Sequence, residues 1–190
     1  MDVVTLAAAR AAAAKAAGGL SPESKGAVGD GVANDGAALT AAAAAAVTFG
    51  IPLLLRGTYK VTATWTAPVG LRMAGNGIGK IAGAIAGSPV MSVGSNTTLS
   101  GIEIANSHGS GGNIGITFRA NAQTVRFEGC RFTGGSLTQA IYLSVAGIDD
   151  VVIHGCVFDG VAYGILTNPG ANDVSSVRIT SNVFTNIYGD

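Results

Sequence analysis

Short apolar runs recur through the second half of the chain at a nearly constant interval. The stretches "VRFEGCRF" (125–132), "VVIHGCVF" (151–158) and "VRITSNVF" (177–184) align at an offset of 26 residues, and "LSGIEI" (99–104) aligns with the stretch from Phe127 at an offset of 28. "LRMAGNGI" (71–78) extends the series another 26 residues earlier. One apolar position then reads Met73, Leu99, Phe127, Ile153, Ile179, and five residues on it reads Ile78, Ile104, Phe132, Phe158, Phe184. Between them lie Gly75, Gly101, Gly129, Gly155 and Ser181. Alternation within one strand requires an even separation, so the odd spacing with a small residue inside it predicts two short strands joined by a tight bend. A third strand is visible in Val90, Ile116, Ile141 and Ile165. Three short strands per turn of about 26 residues predict an all-β, single-stranded parallel β-helix.

The N-terminal part has a different pattern. Residues 4–17 are mostly alanine with Gly18-Gly19 behind them, which predicts a helix with little bulky apolar surface. It reads as a stem or anchor, or alternatively as a frayed terminal helix. After the turn-rich "SPESKGAVGDGVANDG", a second helix is predicted over about 35–49, with Asn34 or Asp35 as N-cap and Gly50 as its stop. Leu39, Ala43, Ala46 and Val47 share one face of it, suited to covering the open end of the stack. The expected domains are therefore 1–19, a helical stem, and 20–190, the β-helix. The sequence stops inside what would be another turn, so the β-helix is expected to be incomplete at its C-terminus.

Charged residues make up 12% of the chain and the 11 basic and 11 acidic ones cancel, so there is no electrostatic footprint for nucleic acid or an anionic membrane. No apolar run is long enough for a spanning helix, and Asp2, Arg10 and Lys15 argue against a signal peptide. Two cysteines do not make a disulfide framework.

"GAVGDGVANDGAALTAAAAAA", "GIPLLLRGTYKVTATWTAP" and "GLRMAGNG" together resemble the opening of the pectate-lyase-superfamily β-helices of bacteriophage tailspikes, over residues 26 to about 80. Gly29-Asp30-Gly31 and Asn34-Asp35 match the turn and acidic pair that introduce the capping helix, with Gly36 where a threonine is usual. The resemblance implies a right-handed β-helix, usually trimeric, that binds or cleaves a bacterial surface polysaccharide. The matched motif is structural and carries over no catalytic residue.

Candidate chemistry comes from the outward positions that flank the ladders. Ala74, Ser100, Glu128, His154 and Thr180 form one outward column, which makes Glu128 and His154 neighbours; another sets Glu103 beside Arg131. A carboxylate next to an imidazole could act as an acid/base pair on a sugar, and an arginine could hold an acidic sugar. The alternative is solvated contacts worth under ~1 kcal/mol. Glycoside hydrolysis needs two carboxylates in a groove, and Glu103, Glu128, Asp149, Asp150, Asp159 and Asp173 are the candidates. Asp149, Asp150 and Asp173 look like turn residues, which leaves Glu103, Glu128, His154 and Asp159 as catalytic candidates. Arg131, Tyr142 and Tyr163 are the candidates for carbohydrate contact, with Tyr188 as a further exposed aromatic. "AGNGIGK" lacks the first glycine of a phosphate loop. Cys130 and Cys156 fall in one column with Asn182, Ile102 and Asn76, as compact fillers. Stacked turns would also permit a disulfide between them. With His154 they supply only three ligands, so no metal and no cofactor is expected.

The reading is a phage tailspike or tail-fibre component that binds host surface polysaccharide, virion-borne and extracellular in action. It is expected as a homotrimer attached to a tail or baseplate protein through residues 1–19. The alternatives are a polysaccharide lyase or glycoside hydrolase with its groove on the stack, and a purely structural fibre.

Overall fold

The computed structural model describes residues 9, 12–16, 18–109, 112–135, 138–168 and 174–189. Residues 9 and 12–16 of the alanine-rich stretch are helical; the rest of residues 1–17, and Asp173, lie outside the described residues. A short 3-10 helix (Pro22–Lys25) precedes β1 (Asp30–Asn34) and α1 (Gly36–Phe49), and the chain then winds through β2 (Leu53–Leu54), β3 (Thr58–Val61) and β4 (Trp65–Thr66). The next two turns are β5 (Arg72–Gly83) with β6 (Pro89–Val93), and β7 (Thr98–Asn106) with β8 (Asn113–Phe118). They are followed by β9 (Gln123–Glu128), β10 (Arg131–Gly134) and β11 (Thr138–Leu143), then by β12 (Asp149–His154), β13 (Val157–Asp159) and β14 (Tyr163–Thr167). The last described strands are β15 (Val177–Thr180) and β16 (Val183–Thr185).

Every pairing is parallel, and the result is a β-solenoid of about six turns with three strands per turn. The first two strands of each turn form one bent 11-stranded sheet, and the third strands form a 5-stranded sheet. In β5 and β7 the first two strands are fused into one. Among the described residues no helix is long and apolar enough to cross a membrane.

Three ladders fill the core. The first runs Leu53, Met73, Leu99, Phe127, Ile153, Ile179, as the repeat predicts, with one member added in front. The second is Tyr59, Ile81, Ile104, Phe132, Phe158, Phe184. Ile81 therefore replaces Ile78, which is 66% exposed. Asn76, Gly77 and Ile78 are an insertion at the bend, marked by a register shift between Ala74 and Gly79, and an apolar residue at the expected offset concealed it. The third ladder is Trp65, Met91, Ile116, Ile141, Ile165. Here Met91 replaces Val90: both are buried, but Val90 lies one residue before the paired position. The last members of the first two ladders, Ile179 and Phe184, are each 48% exposed; burying each of the fully enclosed ones contributes about 2 kcal/mol, so the stack is held chiefly by like packing on like. Phe132, Phe158 and Phe184 stack with ring centroids 5.0 and 4.7 Å apart.

The bend between the first two strands is a left-handed residue. Gly101, Gly129, Gly155 and Ser181 have φ of 58°, 59°, 62° and 57°, and in the turn before them this role passes from Gly75 to Asn76 and Gly77. Glycine dominates the position because a Cβ is unfavourable at positive φ.

Helix α1 lies over the start of the stack, burying Leu39, Ala42, Ala43 and Ala46. Its caps divide the work between two residues. Asn34 Oδ1 accepts the Gly36 N–H at 3.3 Å, whereas the buried Asp35 carboxylate turns back to accept the N–H groups of Val28 and Gly29 at 2.7 and 3.2 Å. Gly50, at φ 64°, ends the helix as expected. Trp65 Nε1 donates to Thr40 Oγ1 at 3.2 Å, tying the helix to β4.

Candidate functional site

The bend divides the outer surface of the large sheet into two strips. On the second-strand strip, one outward column reads Thr58, Lys80, Glu103, Arg131, Val157, Val183. The column two residues on reads Lys60, Ala82, Ala105, Thr133, Asp159, Thr185. Parallel pairing sets successive members about 4.8 Å apart, so their polar groups form a row along the solenoid.

Glu103 and Arg131 are cross-strand neighbours, as the sequence predicts, yet each takes another partner. Glu103 Oε1 meets Lys80 Nζ at 2.8 Å and accepts the Thr133 hydroxyl at 2.7 Å. Arg131 pairs with the Asp159 carboxylate, whose other oxygen accepts Asn186 Nδ2 at 2.8 Å and Thr185 Oγ1 at 3.2 Å. Partial burial pushes the Glu103 carboxyl up. The hydrogen bonds from Lys80 and Thr133, with the charges of Lys80 and Arg131, outweigh it and hold the group below the usual range. Asp159 is also held low, first by Asn186 and Thr185 and then by Arg131. Both carboxylates are anionic at neutral pH, fixed as acceptors beside fixed donors. A cavity of about 260 Å³ opens at the head of this strip, lined by Gly31, Lys60, Ala82, Gly83, Ala84 and Ser107.

Glu128 and His154 lie across the bend, on the first-strand strip. They are cross-strand neighbours and both are exposed, but His154 directs Nδ1 to Thr180 Oγ1 at 2.9 Å. Tyr142 and Tyr163 are on the outer face of the small sheet, Tyr142 half-buried beside Thr117 and Leu166 and Tyr163 paired with Gln139. The fold thus gathers Glu103, Arg131 and Asp159 on one strip and separates Glu128, His154, Tyr142 and Tyr163 from them. Sequence reasoning missed Lys80, Thr133, Thr185 and Asn186. The insertion at residues 76–78 put Lys80 out of step, while Thr133 and Thr185 could have been found by extending the Arg131 column two residues.

Cys130 and Cys156 are buried free thiols. Their column is Gly79, Ile102, Cys130, Cys156, Asn182, so Gly79 takes the place expected of Asn76. Each member able to donate does so to the turn before it. The Cys130 and Cys156 thiols reach Leu99 O at 3.3 Å and Phe127 O at 3.5 Å, and Asn182 Nδ2 reaches Ile153 O at 2.9 Å. The hydrogen bond with Cys156 and burial together push the Cys130 thiol up, while the same hydrogen bond pulls Cys156 down. These cysteines brace the bend.

The architecture is that of a right-handed parallel β-solenoid whose second-strand strip carries two ion pairs joined to hydroxyls. The family model described as right handed beta helix region matches residues 69–190, and the chain belongs to that family. No curated protein matches the sequence. Among solved structures, the chain is similar to the surface protein and adhesin PfbA of Streptococcus pneumoniae at 22% identity and a TM-score of 0.61, over 76% of this chain and 42% of that one. ORF18 of Geobacillus virus E2 matches at 14% identity and TM-score 0.57, over 96% of this chain and 45% of that one. The Dettilon tailspike protein gp208 matches at 16% identity and TM-score 0.56, over 88% and 38%. These likenesses establish the fold, and the chain spans less than half the length of each of these neighbours.

Proposed function

We propose that the chain is a phage tailspike or tail-fibre component that holds a bacterial surface polysaccharide along the second-strand strip. The observation that carries this reading is the row of fixed charges and hydroxyls, Lys80, Glu103, Arg131, Thr133 and Asp159, on parallel strands. Donors and acceptors held in place at strand spacing suit the hydroxyls of an extended glycan, because little ordering is left for the binding step. Tailspike and adhesin folds among its structural neighbours support a surface-binding role outside the cell.

On this strip binding is favoured over hydrolysis. A glycosidase needs one carboxyl that keeps its proton near neutral pH. Glu103 and Asp159 are both held low instead. The same reading carries a homotrimer attached to the tail through residues 1–19, which sedimentation of the chain with and without those residues tests. Incubation with purified capsular polysaccharide and lipopolysaccharide tests the function itself. Retention of polymer without new reducing ends or unsaturated sugars is the expected result. Cleavage that is abolished by Glu103→Gln and Asp159→Asn would make the strip an active site and overturn the binding reading.

A further inference from the structure

We propose that the first-strand strip, across the bend from Glu103, is a separate binding site for a linear polysaccharide bearing one carboxylate on every second sugar. Its outward column reads Arg72, Thr98, Arg126, Val152, Arg178. Arginine occupies every second turn, so the guanidinium groups recur at two strand spacings, about 10 Å, with a neutral residue between them. Three of the chain's 11 basic residues therefore fall in this single column, with the same two-turn interval each time.

The positive charges are only loosely engaged. Arg72 Nη2 donates to the carbonyl of Gly50 at 2.6 Å, a neutral acceptor that leaves its charge uncompensated. Arg178 is exposed and makes no ion pair among the described residues. Arg126 approaches Asp150 at 3.5 Å, with the side chains 37% and 47% exposed, a contact that a ligand carboxylate can replace. Asp149 is turned to Ser175 and the neighbouring Asp150 N–H. Glu128 and His154 occupy the flanking column.

Beside Arg178 a depression of about 300 Å³ is lined by Asp150, Val152, Ser176, Val177 and Arg178. The lining includes Val152, which is buried, and the half-buried Val177, so apolar packing is limited, and the planar guanidinium of the exposed Arg178 can grip a carboxylate with two parallel hydrogen bonds. The arrangement selects for charge spacing. A pyranose advances along an extended chain by about one strand spacing, so one acid per two sugars places anions on the arginines. An acid on every sugar places half of them over Thr98 and Val152, which offer no cation, and Asp150 on the Val152 turn repels the surplus.

Titration calorimetry of the 190-residue chain with hyaluronan oligosaccharides, which carry one carboxylate per disaccharide, tests the proposal. Carboxyl-reduced hyaluronan, alginate (a carboxylate on every sugar) and dextran are the comparisons. Hyaluronan is expected to bind best and to weaken as salt is raised, with carboxyl-reduced hyaluronan and dextran binding least. Arg126→Gln is expected to cost about tenfold and R72Q/R126Q/R178Q at least about a hundredfold. Lys25→Gln, an equal loss of charge at an exposed position on neither strip, should change nothing. Far-UV circular dichroism confirms that each variant is folded, and the single variant decides the matter if the triple one is not. Equal affinity for the carboxyl-reduced polymer, an unchanged Arg126→Gln affinity, or no binding of hyaluronan would overturn the proposal. Loss of binding in Arg131→Gln alone would move the glycan to the second-strand strip, overturning this proposal while leaving the proposed function standing.

Discussion

Gly129 and Gly155 hold the bend at φ of 59° and 62°, and a Cβ on Gly129 would meet no atom within 4 Å. The cost of a side chain there is backbone strain alone. Gly129→Ala is expected to destabilise by about 1 kcal/mol. Gly129→Asn should cost less, since asparagine tolerates this conformation and Asn76 and Ser181 adopt it in other turns. Urea denaturation of the two variants checks the order. Glu103 belongs to the same scale. Its folded-state carboxyl is held below its unfolded value, so the stability it contributes is present above about pH 4.3 and is lost as pH falls through the folded value. The Glu103 and Lys80 side chains are 26% and 31% exposed, so solvent screens the pair, and Glu103→Gln is expected to cost about 1 kcal/mol at pH 7 and nothing near pH 2. Denaturant midpoints of wild type and variant at both pH values read this directly; a difference that persists in acid would contradict it.

At the scale of elements, the ladders were legible because stacking forces like side chains to the same position in every turn. The first ladder could be read residue by residue from offsets of 26 and 28. What escaped were local departures that an apolar residue disguised: Ile78 stood at the offset where Ile81 belongs, and Val90 stood beside Met91. The structure makes these distinguishable by experiment. Ile78→Ser is expected to change stability by less than about 0.5 kcal/mol, whereas Ile81→Ser, at a fully buried position, should cost several kcal/mol. Thermal melts of the pair would contradict the register if the two variants fell together. The capping helix was legible to within one residue, but the role of its acidic pair was not, because Asp35 serves the preceding turn and Asn34 serves the helix. The polar strip was half legible for a related reason. Register places Glu103 between Lys80 and Arg131, and the insertion hid Lys80, whereas the reach of Arg131 sideways to Asp159 cannot be read from register at all.

For the whole molecule, the parallel stack converts a repeating sequence into rows of side chains at constant spacing, and the bend divides those rows into strips of different character. The second-strand strip presents paired charges and hydroxyls, the first-strand strip presents arginines on alternate turns, and the small sheet presents Tyr142 and Tyr163. The solenoid thereby offers straight rows along its length, a shape matched to an extended polymer. The most direct test is the affinity for bacterial surface polysaccharide of wild type and the double variant Arg131→Gln/Asp159→Asn, measured side by side by titration calorimetry. The double change removes both charges of one pair and leaves neither without a partner. The account predicts at least about a tenfold loss of affinity with an unchanged melting temperature. An affinity equal to that of wild type would contradict it.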